Sequence, residues 1–221
     1  MPGLVREEFG PTLLALAGPR LRRLPRGLRA ALAIVAALVG VALVSAVLQR
    51  RSEAVNEYVQ RDGLTFNFRY PDGLALAQPR GTEIVRLERK RADGLFVQSI
   101  AVEPLALPAY RGEASGVLPV AADAEKLALE RRFRDFELVQ EGKTRINDVS
   151  GYGIVFRARL GERRLFGRDV LLPEPRPGAR RGVRLLLLAT PAAGVSRAEE
   201  TGVRGVIKRP YRTFRFGTEA P

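Results

Sequence analysis

The 221-residue chain has no cysteine, no histidine and no tryptophan, and it carries a single methionine. Without cysteine there is no disulfide, no thiol nucleophile and no thiolate metal site. Without histidine there is no imidazole to move protons or hold zinc, which removes Ser-His-Asp hydrolysis, cysteine proteases and zincins. The redox compartment cannot be read from cysteine usage, although a disulfide-free exported domain of this size needs no staples. Lysine is scarce too: Lys90, Lys126, Lys143 and Lys208 each sit among other charges. Negative charge is short, with 24 Asp and Glu against 37 Lys and Arg and a formal net charge of +13. No Gly-x-Gly-x-x-Gly or phosphate loop follows an expected strand, so nucleotide binding has no support. The basic residues are spread along alternating patterns instead of being interleaved with aromatics, which argues against nucleic acid.

Long apolar runs are equally rare. The one such run, Ala30 to Leu48, holds 19 residues without a charge. At ~1.5 Å of rise per residue it spans roughly 28 Å, close to the ~30 Å hydrocarbon thickness of a bilayer. A transmembrane helix is therefore expected at 30–49, marked by Ala30, Gly40 and Leu48. Arg6, Arg20, Arg22, Arg23, Arg26 and Arg29 precede it, against Glu7 and Glu8. Arg50, Arg51 and Arg61 follow, balanced by Glu53, Glu57 and Asp62. The larger basic count on the N-terminal side places that side in the cytoplasm, and Arg50 and Arg51 can snorkel into the outer headgroups. A cleaved signal at Val44-Ser45-Ala46 is the competing reading, against which stand a basic segment and an apolar run both longer than a signal peptide's. A buried soluble helix is a further alternative, disfavoured because a helix apolar on every side belongs inside larger proteins. Ala36 and Gly40 fit a helix-pairing spacing, but a run this rich in alanine produces that spacing by chance.

The expected organisation is a basic cytoplasmic tail (1–29), the membrane helix (30–49), a juxtamembrane linker (50–62), an extracytoplasmic domain (63–217) and a short tail (218–221). The domain is large enough for one core. Its pattern is α+β. Phe66, Phe68 and Tyr70 alternate with polar residues and share one sheet face, and Pro71-Asp72-Gly73 turns the chain. Strands follow at Ile84–Arg89 and Leu95–Val102, joined across Asp93-Gly94. Pro104–Pro119 reads as a long loop, and Ala122–Phe136 as a helix with Glu125, Leu129, Arg132, Phe133 and Phe136 near one stripe. Next come strands at Leu138–Ile146, Tyr152–Leu160 and Leu165–Leu172, then a proline-rich connector at Pro173–Gly182. Val183–Ala189, with leucine at 185 to 188, suits a strand buried on both faces. Val195–Lys208 reads as a weak helix interrupted by Gly202 and Gly205, and Tyr211–Phe216 as a closing strand.

Gly63-Leu64-Thr65-Phe66-Asn67-Phe68-Arg69-Tyr70-Pro71-Asp72-Gly73-Leu74 resembles the opening strand of PsbP-like domains. The later order is similar: a central helix, the Glu141-Gly142 to Asn147 segment, a Gly151-Tyr152 entry to a long strand, a strand at Gly182–Thr190, a C-terminal helix and a final Thr213-Phe214-Arg215-Phe216 strand. The likeness covers about Tyr58 to Phe216. It implies an antiparallel sheet packed against helices, in a family of accessory and protein-binding roles without catalytic residues to carry over. The Pro104–Pro119 loop has no clear counterpart in that family.

No catalytic residue, cofactor or metal is expected. Asp169 beside Arg168 and the Glu199-Glu200 pair are the carboxylates most suggestive of a site; the adjacent glutamates point apart and read as a solvated first helical turn. Arg176, Arg180, Arg181 and Arg184 cluster at the connector, and Arg157, Arg159, Arg163 and Arg164 at the neighbouring hairpin. If the strands are adjacent, the two groups form one patch for phosphates or carboxylates; otherwise they are solvated edges that block aggregation. The sequence thus points to a single-pass cell-membrane protein with a non-catalytic outer domain that binds an envelope protein or an anionic lipid or polymer, and not nucleic acid or metal. The alternative is a tethered carrier of a small molecule or lipid, with a pocket lined by Phe66, Phe68, Phe133 and Tyr152.

Overall fold

The computed structural model describes residues 55–219 and, nearer the N-terminus, only residues 25, 27, 34, 35 and 37–41. Most of the 30–49 segment expected to cross the membrane therefore lies outside the described residues, as do the 1–24 tail and residues 50–54. Ile34, Val35 and residues 37–41 are helical, and Ile34, Val35, Leu38, Val39 and Val41 are exposed. Among the described residues no helix is long and apolar enough to cross a membrane. The chain divides into two units, residues 1–53 and residues 54–221.

The second unit is a three-layer α+β domain. A three-stranded antiparallel sheet has the order β1 (Val55–Gln60), β2 (Phe66–Pro71), β10 (Arg215–Phe216). A seven-stranded antiparallel sheet has the order β3 (Ala75–Ala77), β4 (Val85–Lys90), β5 (Phe96–Ala106), β9 (Arg181–Ala189), β8 (Arg163–Pro173), β7 (Val149–Leu160), β6 (Arg134–Ile146). The domain begins earlier than expected: Val55–Gln60 is not linker but a strand paired along the whole of β2. Tyr58 explains the gain, because its ring stacks on Phe68 at 5.2 Å and Phe66 at 6.0 Å and adds apolar cover to the small sheet.

Two cores flank the large sheet. On one face, Val85, Leu87, Ile100, Val102, Val170, Leu185 and Leu187 meet Phe66 and Phe68 of the small sheet and Ile207, Tyr211 and Phe214 of the C-terminal segment. On the other, Ile154, Phe156, Leu171, Leu186 and Leu188 meet helix α1 (Leu118–Arg132) through Leu118, Ala121, Ala122 and Leu129. β9 supplies both cores, so Leu185–Leu188 is buried on both faces as its unbroken leucines demand.

Several boundaries differ from the sequence pattern, each for a local reason. β5 runs on through Pro104 to Ala106, into the expected loop. Leu107 N donates to Arg180 O, so odd-numbered residues bond to β9 and Pro104 faces the side where β4 has ended, where a missing N–H costs nothing. Helix α1 starts at Leu118, with Pro119 in its first turn where no N–H is needed, which leaves residues 107–117 as the loop. The helix stops at Arg132 instead of reaching Phe136. Phe133 turns extended, and both Phe133 and Phe136 lay their rings against Phe156 at 5.5 and 5.2 Å. Near the C-terminus the expected helix at Val195–Lys208 is replaced by a 3-10 turn at Ala198–Glu200 followed by further turns. Gly202 and Gly205 take φ of 79° and 72° there, a left-handed backbone that no continuous helix contains. The first half of the expected strand at Tyr211–Phe216 belongs to helix α2 (Lys208–Thr213), whose first turn accommodates Pro210, and only its end forms the two-residue β10.

Candidate functional site

The face of the large sheet under α1 is not wholly apolar. Alternation that buries Leu87, Val102 and Leu185 on the opposite side turns Arg86, Glu88, Glu103, Asp169 and Arg184 toward the helix. Along α1 itself the residues at 118, 122, 125, 129 and 132 form one stripe, so Glu125 and Arg132 also face the sheet. The result is a connected ion-pair network across four strands. Arg86 binds Glu88 at 2.9 Å, Glu83 at 3.0 Å and the Ser99 hydroxyl at 3.3 Å. Arg132 bridges Glu83 at 3.8 Å and Glu103 at 3.3 Å. Arg184 donates to Asp169 at 2.7 Å and pairs with Glu103 at 3.2 Å and Glu125 at 2.9 Å.

Arg184 is therefore not a surface residue. Its side chain is 9% exposed, and it holds three carboxylates. Burial works against its charge, but Asp169, Glu125 and Glu103 together raise its pKa. Asp169 is fully buried, and desolvation is the main reason its pKa rises from 3.8 to about 6; Arg184 opposes the rise, and Glu125 and Glu103 add to it. Its Oδ1 has no hydrogen-bond partner. Between pH 3.8 and about 6 the folded state therefore holds a proton that the unfolded chain has released, and this group's contribution to stability falls as pH rises through that window. Asp169→Asn should remove the effect. Relative to wild type, the variant is expected to gain roughly 1.4 kcal/mol of stability on going from pH 5 to pH 7, read as the pH dependence of the difference between two urea midpoints; a flat difference overturns this assignment.

The eight arginines expected to form one anionic-partner patch are dispersed. β7, β8 and β9 are adjacent, as the patch requires, but their register keeps the two groups apart. Arg157 pairs with Phe166 and Phe166 with Ala189, whereas Arg181 lies eight residues back along β9, roughly 26 Å away at ~3.3 Å per residue. At the connector end Glu174 receives Arg181 at 2.9 Å and Arg176 at 3.0 Å, and these two arginines hold its pKa below the ordinary carboxylate range. Arg180 is exposed. Arg176 lines a cleft of about 410 Å³ with Tyr110, Asp148 and Glu174.

The hairpin end is more strongly basic. A cleft of about 550 Å³ is lined by Arg157, Arg159, Arg164 and Arg197, by Asp135 and Glu137, and by Ala158, Leu165, Phe166 and Ser196. Arg197 carries no signal in the sequence because it arrives from the C-terminal segment, far along the chain from the hairpin. The Glu199-Glu200 pair is not a solvated first turn either. Glu200 is buried, accepts bonds from Ser196 N at 2.8 Å and Ser196 Oγ at 3.1 Å, and pairs with Arg204 at 3.0 Å. The Ser196 backbone bond is the largest cause of its lowered pKa.

Among the described residues no group of acidic side chains is arranged to hold a metal ion. The carboxylates of the buried network lie outside the lining of both clefts. The four aromatics expected around a carrier pocket are split: Phe66 and Phe68 belong to one core, Phe133 and Tyr152 to the other, so the large sheet separates them.

No protein-family model matches the sequence, and no curated protein matches it in sequence. Solved structures do. LpqN of Mycobacterium tuberculosis, a protein involved in cell envelope biogenesis, is 12% identical and superposes with a TM-score of 0.51 over 75% of this chain and 93% of its own. Cyanobacterial PsbP from Synechocystis sp. PCC 6803 is 16% identical, with a TM-score of 0.46 over 75% and 94%. The domain shares the fold of LpqN, α+β with antiparallel sheets and few helices, the architecture that the resemblance to PsbP-like domains implies. At these identities the likeness concerns the fold.

Proposed function

We propose that this chain is a single-pass, membrane-anchored protein of the cell envelope whose C-terminal domain performs no chemistry and binds an anionic partner or surface. The observation that carries the reading is the contrast between the two sets of arginines. Arg86 and Arg184 are consumed by buried carboxylates, while four arginines converge on one open cleft that holds two carboxylates. The described involvement of LpqN in envelope biogenesis supports the location. The uncharged 30–48 run supports the anchor, as does the exposure of Ile34, Val35, Leu38, Val39 and Val41 on a helix. The carrier alternative is less well supported, because its four aromatics do not share a pocket.

Fractionation and protease access test this together. The full-length protein is expected to stay with the membrane pellet through an alkaline carbonate wash, and its C-terminal domain to be cut by protease added to intact spheroplasts. Release by carbonate removes the anchor from the reading; protection of the domain reverses the topology and turns its basic cleft toward the cytoplasm.

A further inference from the structure

The strands around the larger cleft break a rule that the rest of the sheet keeps. Arg134 pairs directly with Arg159 across β6 and β7, and Arg159 with Arg164 across β7 and β8. Like charges directly opposite on neighbouring strands repel and destabilise a sheet, yet here three arginines stand in one row. Their internal compensation is incomplete. Arg159 is held by Asp135 at 3.0 Å and more loosely by Glu162 at 3.4 Å, and Arg157 only loosely by Glu137 at 3.5 Å. Arg164 makes no ion pair among the described residues. Arg197 reaches Glu200 at 3.6 Å, but that carboxylate is already engaged by Arg204 at 3.0 Å. Four arginines and two carboxylates line the cleft; with Glu162 on Arg159 and Glu200 shared by Arg197 and Arg204, Arg164 is the lining arginine without an acidic partner among the described residues.

From this geometry we propose that the cleft is a binding site for a phosphomonoester dianion, with Arg164 and Arg197 closing on the phosphate from β8 and from the C-terminal segment. The proposal rests on the anionic-partner reading and names the ligand chemistry of that site. A phosphate dianion suits an unpaired Arg164 beside the loosely held Arg157 and Arg197, and its oxygens accept the paired N–H groups of guanidinium in the forked geometry that lysine lacks. A cleft of about 550 Å³ falls in the range of sites for organic ligands, ~300–1,000 Å³, so the phosphate is expected to carry an organic substituent. A bound dianion also relieves the repulsion along the arginine row, which accounts for a locally unfavourable arrangement being present at all.

The test uses the full chain in non-ionic detergent, with phenyl phosphate as the probe titrated by calorimetry at constant ionic strength set with chloride. Saturable one-site binding is expected, weakened at least tenfold in Arg164→Gln/Arg197→Gln. Because the substitution removes like-charge repulsion, the melting temperature of the free double variant is expected to be unchanged or higher, a result that separates lost binding from lost folding. Arg176→Gln/Arg180→Gln, at the other end of the sheet, should bind as wild type does. Stronger displacement of the probe by soluble dihexanoyl phosphatidic acid assigns the phosphate to a lipid headgroup; weaker displacement assigns it to a soluble phosphoester. Absence of saturable binding, or equal weakening in both double variants, overturns the proposal. Membrane fractionation is independent of either outcome, so failure here leaves the envelope location standing.

Discussion

Arg184→Met is expected to cost about 3–5 kcal/mol of folding free energy at neutral pH, a large part of the ~5–15 kcal/mol that keeps an ordinary domain folded. The substitution keeps the length and most of the packing volume of the side chain, so the loss is electrostatic. Glu103, Glu125 and Asp169 would remain beneath α1 with the cation they share removed, and an uncompensated buried carboxylate costs far more than the net worth of its ion pair. Two features separate this from a simple packing defect. The deficit should shrink as pH falls, because protons replace the missing charge, and it should be partly recovered by Asp169→Asn and Glu103→Gln in the same chain. Urea denaturation of the wild type, Arg184→Met and the triple variant at pH 5 and pH 7 reads both; a loss below about 1 kcal/mol at pH 7, or one independent of pH, means that Arg184 does not organise the network.

Gly167→Ala is the second substitution with a large expected effect, about 3 kcal/mol. Gly167 faces Phe156 across β7 and β8, and the Phe156 ring lies over the glycine where a Cβ would be. That ring has no room to retreat: Phe156 is fully buried, and Phe133 and Phe136 pack against it. The glycine is required here by close approach and not by a left-handed backbone. Shortening the obstructing side chain should therefore compensate, so Gly167→Ala/Phe156→Leu is expected to be more stable than Gly167→Ala alone, a coupling that a double-mutant cycle measures directly. Additive losses would place the strain elsewhere.

How much of this is legible in the sequence follows from which physical signals are local. Aromatic alternation at Phe66–Tyr70, the Asp93-Gly94 turn and the leucines of β9 specify strands wherever they occur, and those strands are found. The end of α1 is not local, because Phe133 and Phe136 fit a helical stripe and a sheet equally well until Phe156 is in place to receive them. The C-terminal segment misleads because the helical spacing of Val203, Val206 and Ile207 outweighs, on paper, two glycines that take left-handed conformations in the fold. The buried network leaves a trace: Glu125 and Arg132 lie on the same stripe as Leu129, and Arg184 sits next to a run of leucines buried on both faces. Taken together these place charge in the interior, whereas each alone reads as surface. The hairpin half of the arginine patch is visible because its members are close in sequence. The fourth arginine of the cleft, Arg197, comes from a segment brought there only by the fold, and strand register, invisible in a composition of arginines, removes the connector half to the other end of the sheet.

The central claim is that buried arginines hold this domain together while the arginines of one cleft bind an anionic partner. A paired scan tests it most directly: each of Arg86, Arg184, Arg157, Arg164, Arg197, Arg176 and Arg180 is replaced by glutamine in the full chain, and both melting temperature and retention on an immobilised polyanion are recorded. Expected are lower melting temperatures for Arg86 and Arg184 alone, and earlier elution with undiminished stability for Arg157, Arg164 and Arg197. Equal loss of retention from Arg176 and Arg180 would contradict it, since binding would then follow total charge and not the cleft.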